Sequence, residues 1–288
     1  MQRAARLLVI FLMSATAIVA FAQKRSITEK DIFQFNWIGD PQISPDGARV
    51  AFVKVSVNEK KDGYDTSIWS VSARGDESPR RMTDGKHDSS PRFSPDGKWL
   101  VFVRSPEPAA GAGAGPGAGG AASRLAGPQL YLLPMGGGES WKLTDVPRGA
   151  GGPIWSPDSK WIAFSNDANP EDLAKQKKGK SSAEKSDNKT GDDKKPESGP
   201  AVKADTAKTE PADSDHESDV RVITHSVYRL NGAGYLDEKH PQHLWVIGIP
   251  QGSEDTVTPK QLTSGKFQEE GAFWAKDSSK FFFPLHQG

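Results

Sequence analysis

One corner recurs along this chain, and it constrains everything else the chain can fold into. The segments ISPDGARVAFVKV (43–55), FSPDGKWLVFVRS (93–105), WSPDSKWIAFSND (155–167) and a decayed fourth copy, WAKDSSKFFFPLH (274–286), share one plan. Each reads as an apolar residue, a Ser-Pro-Asp-Gly/Ser turn and an apolar run. Pro45, Pro95 and Pro157 fix φ at the first central position of a tight turn. Asp46, Asp96 and Asp158 can bond the local backbone, and Gly47 and Gly97 accept positive φ. The run that follows, as in Trp99-Leu100-Val101-Phe102-Val103, is rich in β-formers and apolar throughout, which predicts a strand buried on both faces.

A second periodic element alternates with the first: SIWSVSARGDESPRRMTDG (67–85), QLYLLPMGGGESWKLTD (129–145) and HLWVIGIPQGSEDTVTPKQLTSG (243–265). Each is a short strand, a polar or Gly-rich turn and a second strand ending in Met/Leu-Thr. One hairpin of each kind makes four antiparallel strands. The turn aspartates recur at 46, 96, 158 and 277. The first spacing matches a propeller blade of about 40–50 residues, and the two longer ones contain insertions. The expected fold is therefore all-β: propeller blades of four antiparallel strands, about four of them, in an incomplete ring. Trp69, Trp99, Trp141, Trp155, Trp161, Trp245 and Trp274 fall on repeat positions and are expected in the blade core.

The domain plan is a signal peptide over 1–22 and a partial propeller over 23–288. Arg3 and Arg6 precede an apolar run, and Ala20-Phe21-Ala22 offers a small-x-small cleavage pattern. The run is too short for a comfortable membrane span and no second one follows, so no span remains after cleavage. Export to the periplasm or beyond is expected. The absence of cysteine leaves packing alone to hold the fold. Two stretches interrupt the blades. A Gly/Ala-rich loop occupies 106–128, and a charged insertion, 168–219, is too poor in large apolar residues to offset its ordering entropy and is expected to be disordered. Beyond it, Val220, Val222 and Ile223 read as a strand and Asn231-Gly232 as a turn. The formal net charge is zero, which gives no reason to expect nucleic acid.

No serine lies in a Gly-x-Ser-x-Gly elbow between a strand and a helix, so no catalytic residue is assigned. His240 and His243, near Asp237 and Glu238, read as solvent-exposed polar groups, and no metal or other cofactor is expected. Glu269 and Glu270 form an adjacent acidic pair able to hold a substrate's α-amino group and are the candidate substrate-binding residues. Arg92, Arg221 and Arg229 are candidate ligands for a peptide carboxylate.

The opening ITEKDIFQFNWIGDPQISPDGARVAFV and the block DVRVITHSVYRLNGAGYLDEKHPQHLWVI resemble the propeller of bacterial peptidases of the prolyl oligopeptidase family, in its acylaminoacyl-peptidase and dipeptidyl-aminopeptidase branch. The resemblance covers about residues 27–285 apart from the insertions. It implies a two-domain serine peptidase whose propeller gates access of peptides to an α/β-hydrolase domain. That catalytic domain is missing from this chain, which is expected to be inactive alone. The expected partners are a peptide substrate or the missing hydrolase domain, with self-association through open blade faces. The alternative is a stand-alone protein-binding propeller of the Tol–Pal type.

Overall fold

The computed structural model describes residues 26–107, 127–187, 229–230, 234–235, 237, 239–250, 255, 257–266, 268–269, 271–283 and 285–286. The expected signal peptide, Val220–Ile223, the Asn231-Gly232 turn, Glu270 and most of both insertions lie outside the described residues. The chain divides into two compact units, 1–35 and 36–288. In the first, a 3-10 helix over Glu29–Gln34 is capped by Asp31, whose Oδ2 accepts from Thr28 N (2.7 Å) and Thr28 Oγ1 (3.0 Å).

The second unit is built from β-sheets. The first blade is β1 (Asn36–Ile43), β2 (Arg49–Val57), β3 (Tyr64–Ser72) and β4 (Arg80–Arg81), paired in that order. The second is β5 (Asp88–Phe93), β6 (Trp99–Arg104), β7 (Gln129–Pro134) and β8 (Trp141–Lys142). The third uses β9 (Gly151–Trp155), β10 (Trp161–Asn166), β13 (His243–Gly248) and β14 (Lys260–Gln261). Between its second and third strands lie α1 (Pro170–Asp187) and the small hairpin β11 (Arg229–Leu230) and β12 (Gly234–Tyr235). A fourth hairpin follows, in which β15 (Gln268–Glu269) pairs with β18 (Leu285–His286) and β16 (Phe273–Trp274) with β17 (Phe281–Phe282). All pairings within blades are antiparallel. Among the described residues no strand joins the last hairpin to the first sheet, so the ring is not closed.

Every Ser-Pro-Asp segment forms the expected corner. Ser44 N donates to Arg49 O, Gly47 N to Ser44 O, and Ala48 N to Asp46 Oδ1. Ser44 Oγ donates to Asp46 Oδ1 and accepts from Arg49 N. Ser94 with Asp96, and Ser156 with Asp158, repeat the pattern. The residue three places after the serine has positive φ in each copy: Gly47 at 69° and Gly97 at 72°, but Ser159 and Ser278 at 61°.

A second strained position was not anticipated from the sequence. Asp40, Ser90, Gly152 and Gly271, each four places before a corner serine or its equivalent, also have positive φ. Pro41, Pro91 and Pro153 follow the first three, and Ala272 follows the fourth. A residue before proline is disfavoured in the right-handed helical region. Here it turns left-handed, and the inner strands β1 and β5 shift register at that point. Pro91 and Pro153 are buried by the bend.

The core lies between blades. Ala51 and Ile68 of the first blade pack with Leu100, Phe102 and Leu133 of the second. Val101, Val103, Leu130 and Leu132 on its opposite face meet Ile162, Phe164, Trp245 and Ile247 of the third. Ala163 and Leu244 then meet Ala272, Trp274 and Phe281. Strand β6 is thus buried on both sides, as its unbroken apolar run requires. Trp155 and Trp245 are fully in the core, and Trp161 departs from expectation at 44% exposed, its ring lying over Gly248 on the paired strand.

The beginning of the charged insertion also departs from expectation, because Pro170–Asp187 is helical rather than disordered. Asn169 caps it, its Oδ1 accepting from Asp172 N while Asp172 Oδ2 accepts from Asn169 N, and Pro170 occupies the first helical position. Leu173 packs on the core between the second and third blades, and Gln176 Nε2 donates to Asp145 O. Composition alone counted too few apolar groups, but one leucine and a cap suffice to dock the first turns.

Candidate functional site

Antiparallel pairing sends successive strand connections to alternate ends of each sheet. The Ser-Pro-Asp corners share one end. The crossings between blades, 82–87 and 143–150, share the other, together with the links between second and third strands. Both insertions belong to those links, so both leave from the same end of consecutive blades.

That end carries a cleft of about 690 Å³ lined by His87, Arg104, Gln129, Tyr131, Lys142 and Gln176, among others. Arg104 is its fixed cation. It donates from Nε to Asp88 Oδ1 (2.7 Å) and from Nη2 to Asp88 Oδ2 (3.0 Å), with Asp84 Oδ1 at 3.3 Å. The guanidinium lies 4.7 Å from the Tyr131 ring centre and 5.3 Å from that of Phe102. The bonds to buried Asp88 raise its proton affinity above the ordinary arginine value, against the opposing effect of burial. Lys86 and Lys142 together with Asp84, Glu107 and Asp145 give the cleft lining mixed charge, and Lys142 Nζ donates to Asp145 Oδ1. Such walls suit a polar chain bearing both signs, such as a peptide.

A second charged network sits beside it. Arg148, at φ 62°, donates from Nη2 to Asp167 (2.9 Å) and Asp237 (3.2 Å), with Nε 4.0 Å from Asp172. His240 Nδ1 is 2.8 Å from Asp237 Oδ2, and its Nε2 lies 3.3 Å from Asp172 and 2.9 Å from Asn169 Nδ2. Burial works to raise Asp237, but His240 and Arg148 hold its carboxyl below the usual range. Burial works against the Arg148 cation too, and Asp167, Asp237 and Asp172 outweigh it. The network ties the start of α1 to the entry of β13. Among the described residues no group of three or more histidines and carboxylates is arranged to hold a metal ion.

The candidate residues from the sequence fall in different places. Glu269 is buried rather than open to a substrate: its Oε2 accepts from Thr263 Oγ1 (2.8 Å) and lies 3.0 Å from His243 Nδ1. It occupies the repeat position of Asp88, six places before the corner, so each carboxylate anchors the start of an inner strand. His243 is buried with it, against the expectation of an exposed residue. Arg92 is engaged by Asp40 Oδ2 and Pro91 O, both at 2.7 Å. Arg229 lies in β11, and Arg221 and Glu270 lie outside the described residues. His87, His240 and His243 pair with carboxylates, and His240 also with Asn169; none of these partners is a serine.

The Met/Leu-Thr repeat acquires a physical role. Thr83, Thr144 and Thr263 accept through Oγ1 from Ile68 N, Leu130 N and Leu244 N at 2.9–3.1 Å. Each hydroxyl satisfies a strand amide just where the two-residue outer strand peels away.

No family model matches the sequence. A curated relative, the uncharacterized peptidase YuxL of Bacillus subtilis, is 37% identical over 139 residues, 48% of this chain. The chain resembles the propeller portion of a prolyl oligopeptidase-family peptidase. It spans only 19% of that relative's length. Among solved structures, an acylaminoacyl peptidase from Pyrococcus horikoshii aligns over 87% of this chain and 28% of its own, at 14% identity and a TM-score of 0.47. A putative TolB from Agrobacterium tumefaciens aligns over 86% of this chain and 53% of its own, at 15% identity and a TM-score of 0.44. Among the described residues no helix is long and apolar enough to cross a membrane.

Proposed function

We propose that this chain is the substrate-gating propeller portion of an exported serine peptidase acting on peptides, with hydrolysis carried out by an α/β-hydrolase domain outside these 288 residues. The observation that carries the reading is the 37% identity to a peptidase over 139 residues, taken together with the four-stranded sheets of this chain. The polar cleft and the two insertions at one end of the blades are consistent with a surface that meets peptide chains. The N-terminal basic and apolar pattern supports export.

The test is direct. The purified chain should give no turnover of aminoacyl or N-acyl-peptide chromogenic substrates, while the DNA downstream should encode a Gly-x-Ser-x-Gly hydrolase domain. Turnover by the chain alone, or the lack of such a reading frame, would overturn the proposal.

A further inference from the structure

The polar cleft is one notch of a repeating kind. Asp84, in the crossing that follows the first blade, and Tyr131, on the third strand of the second, both line it. One repeat later Asp145 and Trp245 hold the same positions. Asp84 and Asp145 each follow a repeat threonine, and Tyr131 and Trp245 each follow a residue whose amide such a threonine bonds. Asp145 and Trp245 line a second pocket, of about 620 Å³, bounded by β8, α1 and β13. The two pockets share Lys142, Asp145, Val146 and Gln176, so the first continues into the second.

Their chemistry differs. In the first, Arg104 lies over the Phe102 and Tyr131 rings. Its place in the third blade, ten positions after the corner serine, is taken by Asn166, whose amide donates instead to Pro147 O and Gly149 O. The stacked Phe164 and Trp245 rings are left without that cation. Trp141, Leu173, Trp245, Pro250, Val257 and Pro259 make the second lining largely apolar. Its volume falls in the usual range for ligand sites, about 300–1,000 Å³. One polar group is out of place in it. Trp69, Trp155 and Trp274 donate through Nε1 to Ser67 Oγ, Arg92 O and Ile154 O. Trp245 Nε1 is buried and has no acceptor among the described residues. A donor buried unpaired costs stability, and an arriving acceptor restores it.

We infer that this second pocket is the subsite for an apolar side chain of a peptide whose charged part lies in the neighbouring cleft. A carbonyl of that peptide accepts from Trp245 Nε1 as the rim yields to the entering group. Stacked sheets lie about 10 Å apart, and an extended chain advances about 3.3 Å per residue. The ligand class is therefore an extended peptide with a large apolar residue about three positions from a charged one. The inference rests on the reading of the polar cleft as a peptide surface.

The experiment is calorimetric titration of the full chain, purified as its host processes it, with the capped peptide Glu-Lys-Ser-Phe-Ser-Glu-Lys and with the same peptide carrying serine in place of phenylalanine. The phenylalanine peptide should bind about tenfold more tightly, as expected for taking one large apolar side chain out of water. Val257→Lys, which puts a charge at the rim of the pocket, should abolish that preference and leave the serine peptide unaffected. Trp245→Phe keeps a ring and removes the N–H. It should weaken the phenylalanine peptide about fivefold and not the serine peptide, a split that general damage to the fold would not produce. Equal binding of the two peptides, a preference that survives Val257→Lys, or an unchanged affinity for Trp245→Phe would each overturn the inference while the peptide reading of the cleft stands. Binding of neither peptide would overturn both.

Discussion

Ser159 and Ser278 stand where the better-formed corners have glycine, and they adopt the same left-handed conformation. A non-glycine residue there is strained by about 1 kcal/mol. Each hydroxyl offsets that cost by accepting an amide proton from the preceding corner. Ser159→Ala should therefore lower stability by about 1 kcal/mol in urea unfolding, whereas Ser159→Gly, which relieves the strain as it removes the bond, should cost less. The corner aspartates make a second prediction. Ser44 and Ser156, followed by nearby backbone amides, hold Asp46 and Asp158 below the usual carboxylate range, and Ser279 does the same for Asp277. For Asp96 burial opposes the shift, and Ser94 and Lys98 N outweigh it. Folded carboxyls that resist protonation favour the native state at and above the ordinary carboxylate pKa of about 4, and that advantage disappears as pH falls below it. Thermal melts between neutral and strongly acidic pH should show this loss, and Asp→Asn changes at 46, 96 and 158 together should flatten it. The corners were legible because their chemistry is local. The bridging role of Ser159 was not, since its partner lies in the preceding blade.

At the scale of elements, the Asp88–Arg104 pair secures the inner strand of the second blade to its neighbour. Asp88 is fully buried, so Arg104→Met strands an unpaired charge and should cost about 3 kcal/mol or more. The double change Arg104→Met with Asp88→Leu should be milder than Arg104→Met alone, as a chemical-denaturation cycle would show. The strands themselves could be read from apolar runs and turn residues. The Asp40-Pro41, Ser90-Pro91 and Gly152-Pro153 steps were visible at constant spacing before each corner, yet a proline inside a strand reads as a break rather than a bulge. Glu269 misled for a different reason. Adjacent carboxylates advertise a binding site, whereas the burial of Glu269 against His243 and Thr263 depends on β13 and on the segment just after β14.

For the molecule as a whole, periodicity made the blades legible, because a four-stranded sheet apolar on both sides has to be stacked between others. The charged networks at Arg104 and Arg148 were hidden, since Arg104 meets Asp88 only through strand pairing and Arg148 meets Asp237 across 89 residues of chain. The two ends of the sheets have separate duties. The side-chain bridges from one Ser-Pro-Asp corner to the next lie at the corner end, where the Ser-Pro-Asp corners themselves are all of one length. At the opposite end a connection can gain dozens of residues without moving a single rung of the ladders. A lineage carrying this architecture is therefore free to remodel what it greets on one side while its assembly stays constant on the other.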